Sequence, residues 1–137
     1  MRYILVAVFV VLSSLSCYSQ ESAQFQSCEQ KDDTQTGLDH CASDEAARAD
    51  ADLNRAYQQL KSMAKQVPGG TEKIVKAERA WIQYRDAYLD AMYPAENKQL
   101  NYGSIYPMEF DLLRAELTQA QTKRLQELIK QYAGEGQ

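Results

Sequence analysis

The sequence predicts an all-α fold, a small antiparallel bundle of about four helices with one disulfide. Apolar residues recur at steps of three and four in several segments, which is typical of amphipathic helices. No segment shows the sustained alternation of apolar and polar residues that a half-buried strand would show. The 137 residues contain only six glycines and three prolines, so a loop-rich or disordered chain is not expected.

The first segment indicates export. A basic start at Arg2 precedes an apolar run, Tyr3–Leu15, of thirteen residues, which is shorter than the roughly 18 residues of a membrane span. Residues 1–19 are therefore predicted to be a secretory signal peptide. Ordinary cleavage beside Ser16 or Ser19 is favoured. The alternative is lipidation of Cys17, although Ser14 stands where a lipoprotein signal usually has leucine.

The cysteine count fits an exported domain. Either fate of Cys17 leaves Cys28 and Cys41 as a pair, and such a pair in an oxidising compartment indicates a disulfide. The loop closed is about 14 residues long, which corresponds to roughly 3 kcal/mol in the chain-entropy model. Two free buried thiols are the alternative. The polar segment 20–33 is predicted to be an irregular arm that this disulfide ties down.

The predicted helical domain spans residues 34–134 and begins with a long helix. Thr34 is the predicted N-cap, and the helix ends before Pro68, with a kink near Ser43–Asp44. Its apolar stripe comprises Leu38, Ala42, Ala46, Ala49, Leu53, Ala56, Leu60 and Ala64.

The second helix starts after Thr71 and ends at Pro94. Its periodic signal is the strongest in the chain and consists of Ile74, Ala77, Trp81, Tyr84, Tyr88 and Ala91. We expect this stripe to face the core. The polar stretch Ala95–Gly103 then forms a loop.

Two shorter helices complete the domain. Ser104 is the predicted cap of the third helix, whose inward residues are Ile105, Met108, Leu112 and Ala115. Thr118 and Gln121 have the spacing of a capping box, which predicts a break near Leu117–Thr118. The fourth helix then carries Leu125, Leu128, Ile129 and Tyr132 on its inner face and ends at Gly134.

Composition excludes several functions. The formal net charge is −4, and an acidic protein lacks the cationic excess that nucleic-acid binding requires. One histidine and three cysteines are too few for an ordinary zinc site or most nucleophilic triads. We expect neither a cofactor nor a catalytic site. Paired carboxylates acting on cell-wall glycan would need two carboxyl groups facing each other across a cleft.

Three groups of residues are candidates for more than packing. Asp50, Asn54 and Tyr57 form a polar seam on the first helix, and Trp81, Tyr84, Arg85 and Asp86 cluster on the second. The structural interpretation is that Arg85 reaches a carboxylate such as Asp50 across the bundle. The alternative is a protein-binding anchor, since Trp, Tyr and Arg are frequent hot-spot residues. The loop residues Glu96, Asn97 and Tyr102 are candidates for partner contact.

These motifs resemble the lysozyme inhibitor LprI-like N-terminal domain family. The resemblance covers about residues 34–125 in three blocks. The first runs from Thr34 through Leu38-Asp39-His40-Cys41-Ala42 to Asp50, Asn54 and Tyr57. The second is Ala77-Glu78-Arg79-Ala80-Trp81-Ile82-Gln83-Tyr84-Arg85-Asp86-Ala87. The third comprises Gly103-Ser104, Pro107-Met108 and Leu117-Thr118.

The resemblance implies a small exported bacterial domain that binds lysozyme and protects peptidoglycan, with motif residues that are mainly structural. Family members commonly have two further cysteines at places held here by Tyr88 and Leu113. Without that pair, the helices carrying these residues would be joined by packing alone. The partner would be a protein, with membrane attachment only if Cys17 is lipidated. The alternative is a non-catalytic periplasmic module with a different partner.

Overall fold

The computed structural model describes residues 22–134, which form an all-α bundle as predicted. The predicted signal peptide and Cys17 lie outside the described residues. Within them, five helices are present: α1 (Ala23–Glu29), α2 (Gln35–Met63), α3 (Gly70–Met92), α4 (Lys98–Tyr102) and α5 (Tyr106–Gly134). A short 3-10 turn, Ala64–Gln66, follows α2.

The two long helices, α2 and α5, form the centre of the bundle and run parallel. Early residues of α2, Cys41 and Ala42, share a core cluster with Met108 and Leu112 near the start of α5. Later in both helices, a second cluster includes Leu60 and Leu125. Neighbours in sequence are antiparallel, as predicted, but the most extensive packing is between two parallel helices.

The prediction for α2 is confirmed in its cap and its buried face. The Thr34 side chain accepts a hydrogen bond from Gly37 N, which satisfies one free amide of the first turn. Seven of the eight predicted stripe residues are buried, and the eighth, Leu38, is partly buried. The helix continues without interruption past Ser43–Asp44. The predicted break at Pro68–Gly70 is present, with Gly69 in the left-handed region at φ 70°.

The segment 20–33 is not irregular throughout, as the sequence had suggested. Ser22 accepts a hydrogen bond from Phe25 N and caps α1. Phe25 is 2% exposed, and the Cys28–Cys41 disulfide joins α1 to α2 with a Cα–Cα distance of 5.7 Å. The predicted pairing of these cysteines is therefore confirmed. A capping serine three residues before an aromatic side chain was the signal for α1.

The predicted break at Leu117–Thr118 is wrong, because α5 is continuous over 29 residues. Thr118 is fully buried and its hydroxyl donates to Asp50 Oδ1 at 3.5 Å, so it packs between helices instead of capping one. Ser104 also does not begin a helix, since α5 starts two residues later at Tyr106. Ile105, expected to point inward, is 42% exposed.

The predicted inner face of α3 is also wrong in part. Tyr84 is 58% exposed and Tyr88 is 37% exposed, and the alanines at 77 and 91 are exposed as well. The buried residues of α3 are instead Gly70, Glu78 and Leu89. Polar partners on α2 and α5 allow Glu78 and Arg85 to turn inward, which rotates the apolar stripe toward solvent.

Candidate functional site

Several residues of the predicted motif cluster meet where α2, α3 and α5 cross. Arg85 Nη1 lies 3.4 Å from Asp50 Oδ1, so the expected pairing of these two residues is present. Arg85 also donates to Asp86 at 2.9 Å, and its guanidinium lies 5.3 Å from the Trp81 ring centroid. Because only 16% of the Arg85 side chain is exposed, this group acts mainly as a link between helices.

A cleft of about 370 Å³ opens beside this crossing, between α2 and α3. Asn54 and Tyr57 of the predicted polar seam line it together with Glu78 of α3. Glu78 is 7% exposed, and burial raises the pKa of its carboxyl despite a hydrogen bond from Gln121 and the nearby charge of Arg85. Tyr57 is covered by Lys61, whose Nζ lies 5.1 Å from the ring centroid. The side chains that line the cleft are therefore held in place by contacts with neighbouring residues.

A second buried carboxylate lies toward the N-terminal end of α2. Glu45 is 5% exposed and accepts hydrogen bonds from Ser22 at 2.6 Å, Arg48 at 2.6 Å and Gln119 at 2.8 Å. Burial opposes ionisation of Glu45, but these donors outweigh it and hold the pKa below its usual value. Glu45 therefore joins α1, α2 and α5. Glu45 is not among the candidate residues predicted from the sequence, because it adjoins Ala46 of the apolar stripe but does not follow the three- and four-residue spacing of that stripe.

Within residues 22–134, no group of His, Cys, Asp and Glu side chains has the arrangement of a metal site. None of the helices in that range combines the length and the apolar character needed to cross a membrane.

The stretch Ala95–Gly103, predicted to be a loop throughout, contains the short helix α4 (Lys98–Tyr102) and is largely folded onto itself. Asn97 caps α4 by accepting from Leu100 N at 3.0 Å. The Tyr102 hydroxyl accepts from Ala95 N at 3.0 Å, so both side chains serve the loop's own structure. Glu96 is exposed. Gly103 follows α4 with φ 75°, a left-handed conformation that glycine adopts without steric cost.

Four aromatic rings anchor this loop to the bundle. Tyr93 at the end of α3 contacts the rings of Tyr102, Tyr106 and Phe110, with centroid distances of 5.3, 5.0 and 6.1 Å. Burial raises the pKa of the Tyr93 hydroxyl, and nearby Glu109 adds to the effect. Lys98 donates to the Tyr93 carbonyl across the base of the loop. The cluster holds α4 against the start of α5.

Leu100 stands on this anchored loop with 81% of its surface exposed, the highest exposure among the large apolar residues of the described chain. Leu100 was not predicted as a contact residue, because the stretch around it is polar. The one sequence feature that could have indicated an exposed apolar contact is this single leucine within that polar stretch. Leu100 therefore joins Glu96 as an exposed residue on a loop that the bundle holds in place, and loops of this kind often carry binding residues.

Charge divides sharply along the bundle. A boundary through Asp50, Arg85 and Thr118 separates residues 22–50 and 85–116 from residues 51–84 and 117–134. The first group has thirteen acidic and five basic side chains, a net charge of −8, and we call it the acidic end. The second has four acidic and nine basic side chains, a net charge of +5, and we call it the basic end.

The parallel packing of α2 and α5 accounts for part of this division. Both helices begin at the acidic end, so their positive dipole ends lie together there. Glu109 lies in the first turn of α5 and Lys61 in the last turn of α2, where the helix dipole favours their charges. The acidic end also includes α4, so Leu100 projects from the acidic half of the molecule.

Comparison with known proteins places this geometry in a family. Residues 26–125 match the family described as "Lysozyme inhibitor LprI". A protein of Rhizobium meliloti (strain 1021), named only as uncharacterized, is 33% identical over 109 residues, which cover 71% of this chain and 75% of that protein. No solved structure gives a significant match. The matched region includes all three motif blocks and most of the described bundle, and the chain belongs to the lysozyme inhibitor LprI family.

Proposed function

We propose that this protein is an exported, non-catalytic envelope protein that binds and inhibits lysozyme and thereby protects peptidoglycan. The match of residues 26–125 to the lysozyme inhibitor family is the observation that carries the proposal. Export to the periplasm or the outside is supported by the signal-like segment 1–19 and by a disulfide, which persists in oxidising compartments.

The acidic end is the proposed lysozyme-binding surface. The c-type lysozymes are basic, and a net charge of −8 at one end would attract them and orient the encounter. Leu100 and Glu96 would then contact the enzyme, because both are exposed on the loop that the aromatic cluster holds in place. Asn97 and Tyr102 would contribute by fixing the shape of this loop.

Binding kinetics with a c-type lysozyme test this assignment. We expect the association rate to fall as salt rises, because steering between exposed charges is screened. Glu96→Lys should slow association further, and Leu100→Glu should speed dissociation by about tenfold, because it places a charge in the desolvated contact. Glu127→Lys makes the same charge change at an exposed position of the basic end and serves as the matched control.

The outcomes separate the proposal from its alternatives. If Glu127→Lys slowed association as much as Glu96→Lys, the acidic end would not be the contact surface. Absence of binding would favour the second interpretation, a non-catalytic envelope module with a different partner. Fractionation and the mass of the mature protein would distinguish cleavage beside Ser16 or Ser19 from lipidation of Cys17.

A further inference from the structure

One face of α3 is apolar and exposed, and the bundle itself does not use it. Tyr84 is 58% exposed, Tyr88 37% and Met92 50%, while the residues between them on this face are alanines. Tyr84 and Tyr88 belong to the strongest apolar period in the sequence, yet neither they nor Met92 are part of the core clusters. An apolar helix face of this kind is typical of a protein–protein interface.

The face has the spacing of a coiled-coil seam. Ala77, Ala80, Tyr84, Ala87 and Ala91 follow one another at alternating steps of three and four and are all exposed. These are successive a and d positions of a heptad. If two copies of α3 pack antiparallel about a twofold axis near Ile82, Ala80 lies across from Tyr84 of the second copy and Ala77 from Ala87. Tyr84, the one large apolar residue of the seam, then meets Ala80, two alanines meet at positions 77 and 87, and Ala91 lies across from Lys73.

The charges beside the seam match this one occupant. Lys76, Gln83 and Asp90 occupy the flanking g positions and are exposed. In this antiparallel packing, the g positions of one helix face the g positions of the other. Lys76 therefore lies beside Asp90 of the second copy, and Gln83 lies beside Gln83. A parallel arrangement would instead place each g position beside an e position, Lys76 beside Trp81 of the second copy, and would not pair Lys76 with Asp90. The seam is therefore complementary to itself in one orientation.

Asp90 lies near Tyr106 of α5 but has no cationic partner among the described residues. It lies in the last turn of α3, where the helix dipole disfavours a carboxylate. Among the described residues, neither Asp90 nor Lys76 forms an ion pair. Antiparallel pairing would supply a partner to both. It would also bring the acidic end of one copy, at −8, beside the basic end of the other, at +5.

We propose that α3 is the interface of an antiparallel homodimer, with Lys76 and Asp90 forming two symmetric ion pairs. The two α4 loops then lie at opposite ends of the dimer, so the assembly presents two separate acidic ends. This inference goes beyond the lysozyme proposal and does not depend on it, since it rests on α3 alone.

Sedimentation of the protein from Gln20 to Gln137 over a range of concentrations provides the test. The wild-type protein should be dimeric, and Lys76→Glu or Asp90→Lys should each raise the dimer dissociation constant by about tenfold or more, because each places like charges opposite one another. The Lys76→Glu, Asp90→Lys double variant should restore dimerisation. Lys130→Glu, a charge reversal on α5, should leave it unchanged.

Two further variants examine the seam and its register. Ala80→Glu should give a folded monomer, because residue 80 is exposed in the protomer and glutamate is a good helix former. Gln83→Cys should form an intermolecular disulfide readily, whereas Lys65→Cys should not. A wild-type protein that is monomeric at every concentration would overturn the proposal. So would a dimer that the charge reversals weaken without recovery in the double variant.

Discussion

The crossing of α2, α3 and α5 at Arg85 offers a direct test of what stabilises the bundle. Arg85→Ala removes the link to Asp50 at 3.4 Å, the hydrogen bond to Asp86 at 2.9 Å and the stacking on Trp81 at 5.3 Å. It also removes the positive charge near the buried carboxyl of Glu78. We expect the variant to fold but to be clearly destabilised.

The expected loss of stability follows from how far each interacting side chain is exposed. Because 41% of the Asp50 side chain is exposed, the ion pair lies near the upper end of surface values, about 1 kcal/mol. The contact with Trp81 adds about 0.5 to 1 kcal/mol, and the buried aliphatic stem adds roughly 0.5 kcal/mol. The total is about 2 kcal/mol, which for a domain of this size lowers Tm by roughly 8 °C.

Thermal and denaturant unfolding measure this loss, and Arg55→Ala is the matched control. Arg55 also pairs with an aspartate, Asp52, but their side chains are 73% and 55% exposed. Its removal should therefore change stability by less than about 0.5 kcal/mol. Equal effects of the two substitutions would refute the claim that Arg85 holds the helices together.

Three further predictions concern other parts of the bundle. Replacing Cys28 and Cys41 by serine should cost about 3 kcal/mol in denaturant unfolding, since the disulfide closes a short loop and fixes α1; unchanged stability would contradict this. Glu45→Gln should destabilise the protein at neutral pH. The folded pKa of Glu45 lies below its unfolded value, so its contribution to stability is present above the unfolded pKa and disappears as pH falls through the folded pKa. The stabilities of the two proteins should therefore converge in acid. A difference in stability that stays constant with pH would exclude this linkage. Gly69→Ala should cost about 1 kcal/mol because φ is 70°, although the site has open space; a neutral result in thermal unfolding would show that the turn relaxes.

Regular patterns made much of this fold predictable. The α2 stripe from Ala42 to Ala64 and the Thr34 cap follow from local spacing and hydrogen bonding, and the structure contains both. The disulfide was predictable because Cys28 and Cys41 are the two cysteines outside the predicted signal peptide. In each case the relevant interaction is either local or carried by the residue type itself.

The features of the fold that the sequence did not predict depend on polar partners that are distant in sequence. Glu78 faces inward because Gln121 donates a hydrogen bond to it, and apolar periodicity alone cannot anticipate that pair. The Arg85–Asp50 pairing was expected, but the rotation of α3 that turns Arg85 inward and leaves Tyr84 exposed was not. Thr118 resembles a cap in sequence but is buried against α2. Partner contact through Glu96, Asn97 and Tyr102 stays a prediction. Asn97 and Tyr102 support the structure of their own loop, and Leu100 is the most exposed large apolar side chain on it.

The most direct test of the proposed function is an activity titration of c-type, g-type and phage-type lysozymes with the oxidised protein from Gln20 to Gln137. We predict stoichiometric inhibition of a basic c-type enzyme, with inhibition weakened by Leu100→Glu and retained by Lys130→Glu. Full activity of all three classes at a large excess of the protein would contradict the proposal. The helical bundle and its family membership would stand, and the partner would have to be sought elsewhere in the envelope.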